Sequence, residues 1–351
     1  MHKFFRIKSL LTSALVAAAA VGSLSATTVA HALDKVVNLY SARHYSTDEA
    51  LYSNFTKATG IKINRIDGGE DALLTRIKAE GANSPADVFL TVDAGRLWIA
   101  DQEGVFAPIQ SKVLNERIPA AYRLASNTWF GFSTRARVIL VDKLKVKTGE
   151  ITTYEDLADP KWKGQICTRS GSHVYMLSLL SSIIENDGSA KAEEWAKSVN
   201  ANLARQPKGG DTDQIKAVAA GECAVALSNT YYLARLIKSD KAEDRAIMEK
   251  LRIVWPNTNG RGVHMNVSGG GVLKNAPNKD NAVKFMEYLA SDEAQAYFAN
   301  GNNEWPVVVS AKVKNEALDS MGTFKPDTLN MIALGKNQRQ AQEIVNRVGY
   351  K

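Results

Sequence analysis

Cysteine is almost missing from this sequence: the 351 residues hold two, Cys167 and Cys223. That excludes a cysteine-rich zinc module and a multi-bridge scaffold. Histidine is scarce as well. Of five, only His44, His173 and His264 lie beyond the N-terminal segment. There is no G-x-S-x-G, no H-E-x-x-H, no Walker loop and no G-x-G-x-x-G, so the common hydrolase, zinc-protease and nucleotide-binding signatures are absent. Gly269-Gly270-Gly271 lacks the lysine of a phosphate loop. Past the first residues no apolar run is long enough to span a bilayer. Long basic runs and aromatic-basic interleaving are missing too, which argues against nucleic acid.

What is present is ordinary globular material: 45% hydrophobic, 8% aromatic and 23% charged residues. A soluble chain of this size usually divides into about two domains. The N-terminus reads differently. Lys3, Arg6 and Lys8 precede an apolar, alanine-rich run over residues 10–24, and Ala30-His31-Ala32 is a small-x-small cleavage site. This is the pattern of a secretory signal peptide over residues 1–32, with Leu33 the first mature residue. A membrane anchor fits less well, because the run is short and the cleavage site follows it. Without the leader, 41 basic residues face 37 acidic ones, a net charge of +4 instead of +7. A soluble, exported, periplasmic monomer is expected.

Strand and helix patterns alternate in the mature chain. Residues 35–40 (KVVNLY) read as a strand, and Ser46 and Glu49 stand in capping-box spacing before a helix that Gly60 stops. Strands follow at 61–67 and 86–92, helices at 70–80 and 93–103. The third strand, ADVFLTV, has no polar alternation and should be buried on both faces. The pattern restarts with strands at 164–169 and 222–228, each leading into a helix. Such alternation predicts a mostly parallel sheet flanked by helices. Residues 129–142 (WFGFSTRARVILVD) read as two extended pieces joined end to end, a crossover between domains. Residues 266–274 (NVSGGGVLK) are a second crossover, whose glycines suit close backbone approach or a hinge. The expected fold is an α/β, two-domain periplasmic binding protein. Domain 1 spans 33–134 plus 266–307, and domain 2 spans 135–265 plus 308–351.

The distinctive chemistry is phenolic. Tyr45, Tyr175, Tyr231 and Tyr232 each fall just after a strand, at or near the opening of a helix. Ligands in open α/β sheets sit beyond the carboxyl ends of strands, and helix N-termini favour negative charge. His44 and His173 share two of these loops. Several phenolate oxygens suit a hard, high-charge ion such as Fe(III), whereas softer divalent ions prefer imidazole and thiolate. A single tyrosine near a helix start is usually a core or rim residue. The adjacent pair Tyr231-Tyr232 is more telling, because one of two neighbours should point away from the core. The other seven tyrosines, Tyr52, Tyr154 and Tyr288 among them, fit structural positions.

At these residues the chain resembles the ferric-iron-binding proteins of bacterial ABC importers, the bacterial transferrins. The resemblance runs from about Val36 to the C-terminus. It is carried by NLYSARHYSTDEALYSNFTKATGIK, SPADVFLTVDAGRL, DPKWKGQICTRSGS and GECAVALSNTYYLARL. It implies a two-domain clamp of type II that closes over Fe(III) and delivers it to an inner-membrane permease and its ATPase. His44 matches the family's N-terminal histidine ligand. The glutamate of the histidine-glutamate branch is missing from TVDAGRL, where Val92 and Asp93 stand. Tyr45 and Tyr175 match the extra ligands of the tyrosine-rich branch instead. His44 is then either a ligand or a group supporting one.

Carbonate, citrate or water would complete the coordination sphere. Arg43 and Arg235 lie beside the tyrosine loops. They would hold such an anion, tune the phenolates, or stand as solvated charges, the last being the default. One alternative is a binding protein for a small anion or a polyamine, with aromatic walls and Asp93 taking the cation. Another is a secreted hydrolase using Cys167 or Ser172. Both cysteines sit in expected strands leading into ligand loops. A disulfide between them is expected in an oxidising compartment, closing 57 residues and stabilising by roughly 3 to 4 kcal/mol. Closure on binding is expected to bend the crossovers near Ser133–Arg135 and Val267–Gly270.

Overall fold

The first strand, β1 (Val36–Ser41), pairs in parallel with β2 (Lys62–Asp67) on one side and with β3 (Val88–Thr91) on the other. The structure, a computed structural model, describes residues 35–351. The expected signal peptide and its cleavage site lie outside the described residues. Helices Asp48–Thr59 and Glu70–Glu80 carry the chain back over the sheet between these strands. Gly60 closes the first helix in the left-handed region (φ 73°), where a side chain would be strained. The charged strand β2 (KINRID) is an exposed edge, while β3 (VFLT) is buried throughout, as its unbroken apolar run requires.

Six further strands are β4 (Phe130–Asp142), β5 (Ile166–Cys167), β6 (Val225–Asn229), β7 (Leu251–Val254), β8 (Met265–Val272) and β9 (Trp305–Pro306). The sheet runs β2-β1-β3-β8-β4-β6-β5, with β7 and β9 also pairing β4. β8 is antiparallel to both β3 and β4, whereas β5 and β6 are parallel. Residues 129–142 are therefore not two extended pieces. Residues 130–142 form one thirteen-residue strand whose first half pairs β8 and whose second half pairs β6 and β7. A register shift between Gly131 and Ser133 bends it near its start. The three glycines of β8 owe their place to close approach. A Cβ on Gly269, Gly270 or Gly271 would fall 2.3–2.5 Å from a backbone carbonyl or side chain of a neighbouring strand or loop.

Two main apolar cores lie against this sheet. One packs Val37, Leu39 and Phe55 onto Phe285 and Leu289 of helix Lys279–Leu289. The other packs Ile139 and Val141 of β4 against helices Val174–Asp187, Ser189–Ala201 and Gln338–Val348. Burying each large apolar side chain is worth about 1.5–3 kcal/mol. Among the described residues no helix is long and apolar enough to cross a membrane.

Three local expectations change. The Ser46–Glu49 capping box does not form. The helix starts at Asp48 behind Thr47, whose hydroxyl donates to the Asn302 side chain (2.5 Å) instead of capping. The strand expected at 164–169 shortens to Ile166–Cys167, because the chain on either side turns to accept other partners. Cys223 lies just before β6 rather than inside it.

Candidate metal centre

Parallel pairing of β5 with β6 sets Cys167 opposite Ala226, so both strands end on the same side of the sheet. Each then runs into a helix: Val174–Asp187 after a short loop, Thr230–Ile237 at once. Tyr175 is the second residue of one helix, and Tyr231 and Tyr232 are the second and third of the other. The expected disulfide between Cys167 and Cys223 (Cα–Cα 5.9 Å) is present, tying the end of β5 to the segment that enters β6. β1 ends at Ser41, and residues 42–47 bring Arg43, His44 and Tyr45 to the same place.

All five expected ligand residues meet there. The Tyr175 and Tyr231 hydroxyls lie 2.9 Å apart. Tyr45 stands edge-on to Tyr231 with ring centres 5.5 Å apart, and the Tyr231 and Tyr232 rings are 4.3 Å apart. His44 stacks on Tyr45 at 4.6 Å, and its centroid is 6.3 Å from that of Tyr231. Tyr45, Tyr175 and Tyr231 are buried, Tyr232 is half-buried and His44 is exposed. His173 does not join them as a donor. It caps its helix, its Nδ1 accepting the Tyr175 backbone N–H at 3.2 Å.

Arginines surround the rings. Arg43 lies 4.6 Å above Tyr45, and Arg169, Arg135 and Arg137 lie 4.9, 5.4 and 5.9 Å from the centre of Tyr175. Arg235 is within 5.2–5.5 Å of Tyr45, Tyr231 and Tyr232. Arg43 is no solvated charge: it is buried and paired with Asp48 at 2.6 Å. Asp211 holds both Arg137 (3.1 Å) and Arg169 (3.2 Å). Both Nη atoms of Arg135 are buried without a hydrogen-bond partner among the described residues. Asp93, expected to take a cation in the polyamine alternative, is spent elsewhere. It caps helix Ala94–Gln102, accepts from Ser178 and Asn266, and lies 3.8 Å from Arg135.

These surroundings decide protonation. Burial pushes the phenols of Tyr45, Tyr175 and Tyr231 well above their ordinary value, and neighbouring Glu304 and tyrosine charges add to this. Arg135 pulls the other way on all three. The rings are therefore neutral phenols at physiological pH. His44, although exposed, is pushed down to about 4, first by the desolvation it suffers against the packed rings and then by Arg235, Arg43, Arg135 and Arg169. Its imidazole is neutral at physiological pH and keeps a lone pair to offer. Among the described residues no group of three or more His, Cys, Asp or Glu could hold a metal. The donor set here is oxygen-rich and phenolic, which suits a hard trivalent ion. A polyamine would need a free carboxylate, and Asp93, the one expected to serve it, is already engaged. The hydrolase alternative loses both its nucleophiles. Cys167 is oxidised, and Ser172 is an exposed hydroxyl beside a histidine whose Nδ1 is already engaged.

The sequence profile of the bacterial extracellular solute-binding proteins matches residues 83–325. The chain belongs to that family. Iron uptake protein A1 of Synechocystis is 50% identical over 315 residues, 90% of this chain and 87% of that one. A Trichodesmium protein solved in complex with iron and citrate ligands superposes with a TM-score of 0.84 at 55% identity, covering 90% of this chain and all of that one. The ferric binding protein from Campylobacter jejuni gives 0.86 at 40% identity, again over 90% and 100%. The fold is that of a type II periplasmic binding protein, and the solute-binding relatives are transport proteins.

Several residues around the tyrosine cluster stand outside the set expected from the sequence. Arg135 and Arg137 are visible as an Arg-Ala-Arg alternation inside an apolar strand, which places two cations on one face. Asp211 opens helix Asp211–Ala219 without any local oddity. Glu304 follows two asparagines and carries no signal at all.

Proposed function

We propose that the chain is an exported, periplasmic Fe(III) carrier, not an enzyme, which delivers its ion to an inner-membrane ABC permease and ATPase. Tyr45, Tyr175, Tyr231 and Tyr232 supply phenolate oxygens, with His44 as a further donor. An anion or water, facing the arginines, completes the sphere. Domain 1 (33–134 plus 266–307) and domain 2 (135–265 plus 308–351) close over the ion as a monomeric clamp. The observation that carries this reading is the 2.9 Å contact between the Tyr175 and Tyr231 hydroxyls, two phenol oxygens from separate helix starts meeting among arginines. The iron-uptake and ferric-binding relatives support the choice of ion.

Each coordinating tyrosine must lose a proton whose ordinary loss lies near pH 10. Binding therefore releases protons, and acid reverses it. Iron-loaded protein should be coloured by phenolate-to-iron charge transfer. Replacing Tyr231 and Tyr232 together by Phe keeps the rings but removes two oxygens. Colour should fade, iron should pass readily to citrate, and release should occur at higher pH, while Tyr288→Phe changes none of this. Unaltered colour and affinity in the double variant would end the ferric reading.

A further inference from the structure

We propose that Glu304 is a positioning residue that couples the Tyr45 hydroxyl to the β4–β8 crossover; this rests on the ferric reading above. Glu304 has no solvent exposure, and an unpaired carboxylate there would be prohibitively costly. Its oxygens are satisfied by an uncommon set of donors. Oε1 accepts from the Tyr45 hydroxyl at 2.9 Å and from Ser268 at 3.2 Å, and Oε2 accepts from Ser133 at 2.8 Å. Arg43 Nη2 stands 3.8 Å from Oε2. Ser133 and Ser268 face each other across the β4–β8 ladder. One carboxylate is thus held by both crossover strands and in turn holds one candidate ligand.

The surrounding segment reinforces this. Residues 301–304 join helix Asp292–Asn300 to β9, and β9 pairs β4 at Ser133 and Thr134. The Asn302 side chain accepts from Thr47 at 2.5 Å and donates to Asp48 at 2.8 Å, gripping the far side of the Tyr45 loop. Any shift of β4 against β8 therefore reaches Tyr45 through Glu304. Among the described residues the Tyr175 and Tyr231 hydroxyls pair with each other and hydrogen-bond to neither crossover strand, although Arg135 and Arg137 of β4 lie over the Tyr175 ring.

The test is a double-mutant cycle of Glu304→Gln with Tyr45→Phe, read by iron retention against citrate and by the visible charge-transfer band. In the wild-type background Glu304→Gln, which frees the Tyr45 ring but also eases loss of its proton, should change retention roughly tenfold and shift the band. With Tyr45→Phe already present, it should change retention by less than about twofold. Equal effects in both backgrounds, or none, would overturn the coupling. A crystal structure of the iron-free Glu304→Ala protein gives a readout independent of iron. Tyr45 should leave its place beside Tyr231, and an unmoved ring overturns the proposal. If that variant does not fold, Ser268→Ala, which removes one donor from the same carboxylate, replaces it. A smaller displacement of Tyr45 is then expected, and a ring that stays in place again overturns the proposal. A wild-type protein that stays colourless with iron sinks the ferric reading, while the iron-free structures still decide whether Glu304 positions Tyr45.

Discussion

The two sides of the tyrosine cluster are built by different means. Tyr175, Tyr231 and Tyr232 stand on the first turns of helices that follow neighbouring parallel strands, and a disulfide joins the end of one strand to the entry of the other. Asp211 completes that side from within: it accepts the Asn229 backbone N–H at 2.8 Å, just before the Tyr231 helix, and pairs Arg137 and Arg169, two of the three arginines lying over Tyr175. Tyr45 and His44 instead ride on a six-residue loop with no cap of its own. That loop is gripped from outside by Asn302 and Glu304, more than 250 positions away in sequence. One side is preassembled by local geometry, and the other takes its position from the crossover region.

The largest break of this contrast should come from Asp211→Asn. Removing the carboxylate's charge leaves Arg137 and Arg169 without their counter-ion; Arg137 is 1% exposed. Breaking a buried pair costs about 3–5 kcal/mol, readable as a lowered urea midpoint. The pH sign agrees. Burial alone would raise the Asp211 carboxyl, but Arg137, Arg169 and the Asn229 N–H outweigh it and hold the group below its ordinary value. Its contribution is full above about pH 4 and is lost as acid protonates the folded carboxylate. A midpoint unmoved by the substitution would mean that this side does not depend on Asp211.

Reducing the Cys167–Cys223 bridge should cost somewhat less, roughly 3 to 4 kcal/mol. It should loosen Tyr175 relative to Tyr231 and leave the Tyr45 loop protected in hydrogen exchange. Two free thiols titrating in denatured, unreduced protein would remove the bridge from the account.

The same contrast explains what the sequence discloses. Helix Glu70–Glu80, the buried third strand, the cysteine pairing and the tyrosine meeting point follow from periodicity, from glycine stops and from the rule that ligands gather beyond strand ends. Glu304, Asp211 and the arginines over Tyr175 act through contacts between distant segments, which leave no periodic trace. The capping box shows the converse. Ser46 and Glu49 have the right spacing, yet a tertiary partner, Asn302, takes Thr47 and the helix begins at Asp48. Local propensity lost to a buried long-range contact, as it commonly does.

Asn302→Ala should act on the externally held side alone. Asn302 is fully buried, and the change strips one hydrogen bond from Thr47 and one from Asp48. About 1–3 kcal/mol is expected. Hydrogen exchange should quicken in residues 43–48 while residues 174–176 and 230–233 keep their protection. Equal loss on both sides would show that the two are not separately held.

The smallest effect should come from His44, and it tests the arginine field directly. Its folded value near 4 lies below the ordinary 6.5, from burial and then from Arg235, Arg43, Arg135 and Arg169. A histidine lowered on folding contributes stability that is present above about pH 6.5 and is lost as the pH falls towards 4. His264, buried and pushed down to about 3, follows the same sign more strongly. His44 is exposed, so solvent screens its share. His44→Asn should therefore flatten the fall in urea midpoint between pH 7 and pH 5 only slightly, and less than His264→Asn does. Imidazole resonances of the iron-free protein give the direct measurement. His44 should stay neutral below pH 5, and a midpoint at or above 6.5 would show that these guanidinium groups do not act together on the cluster.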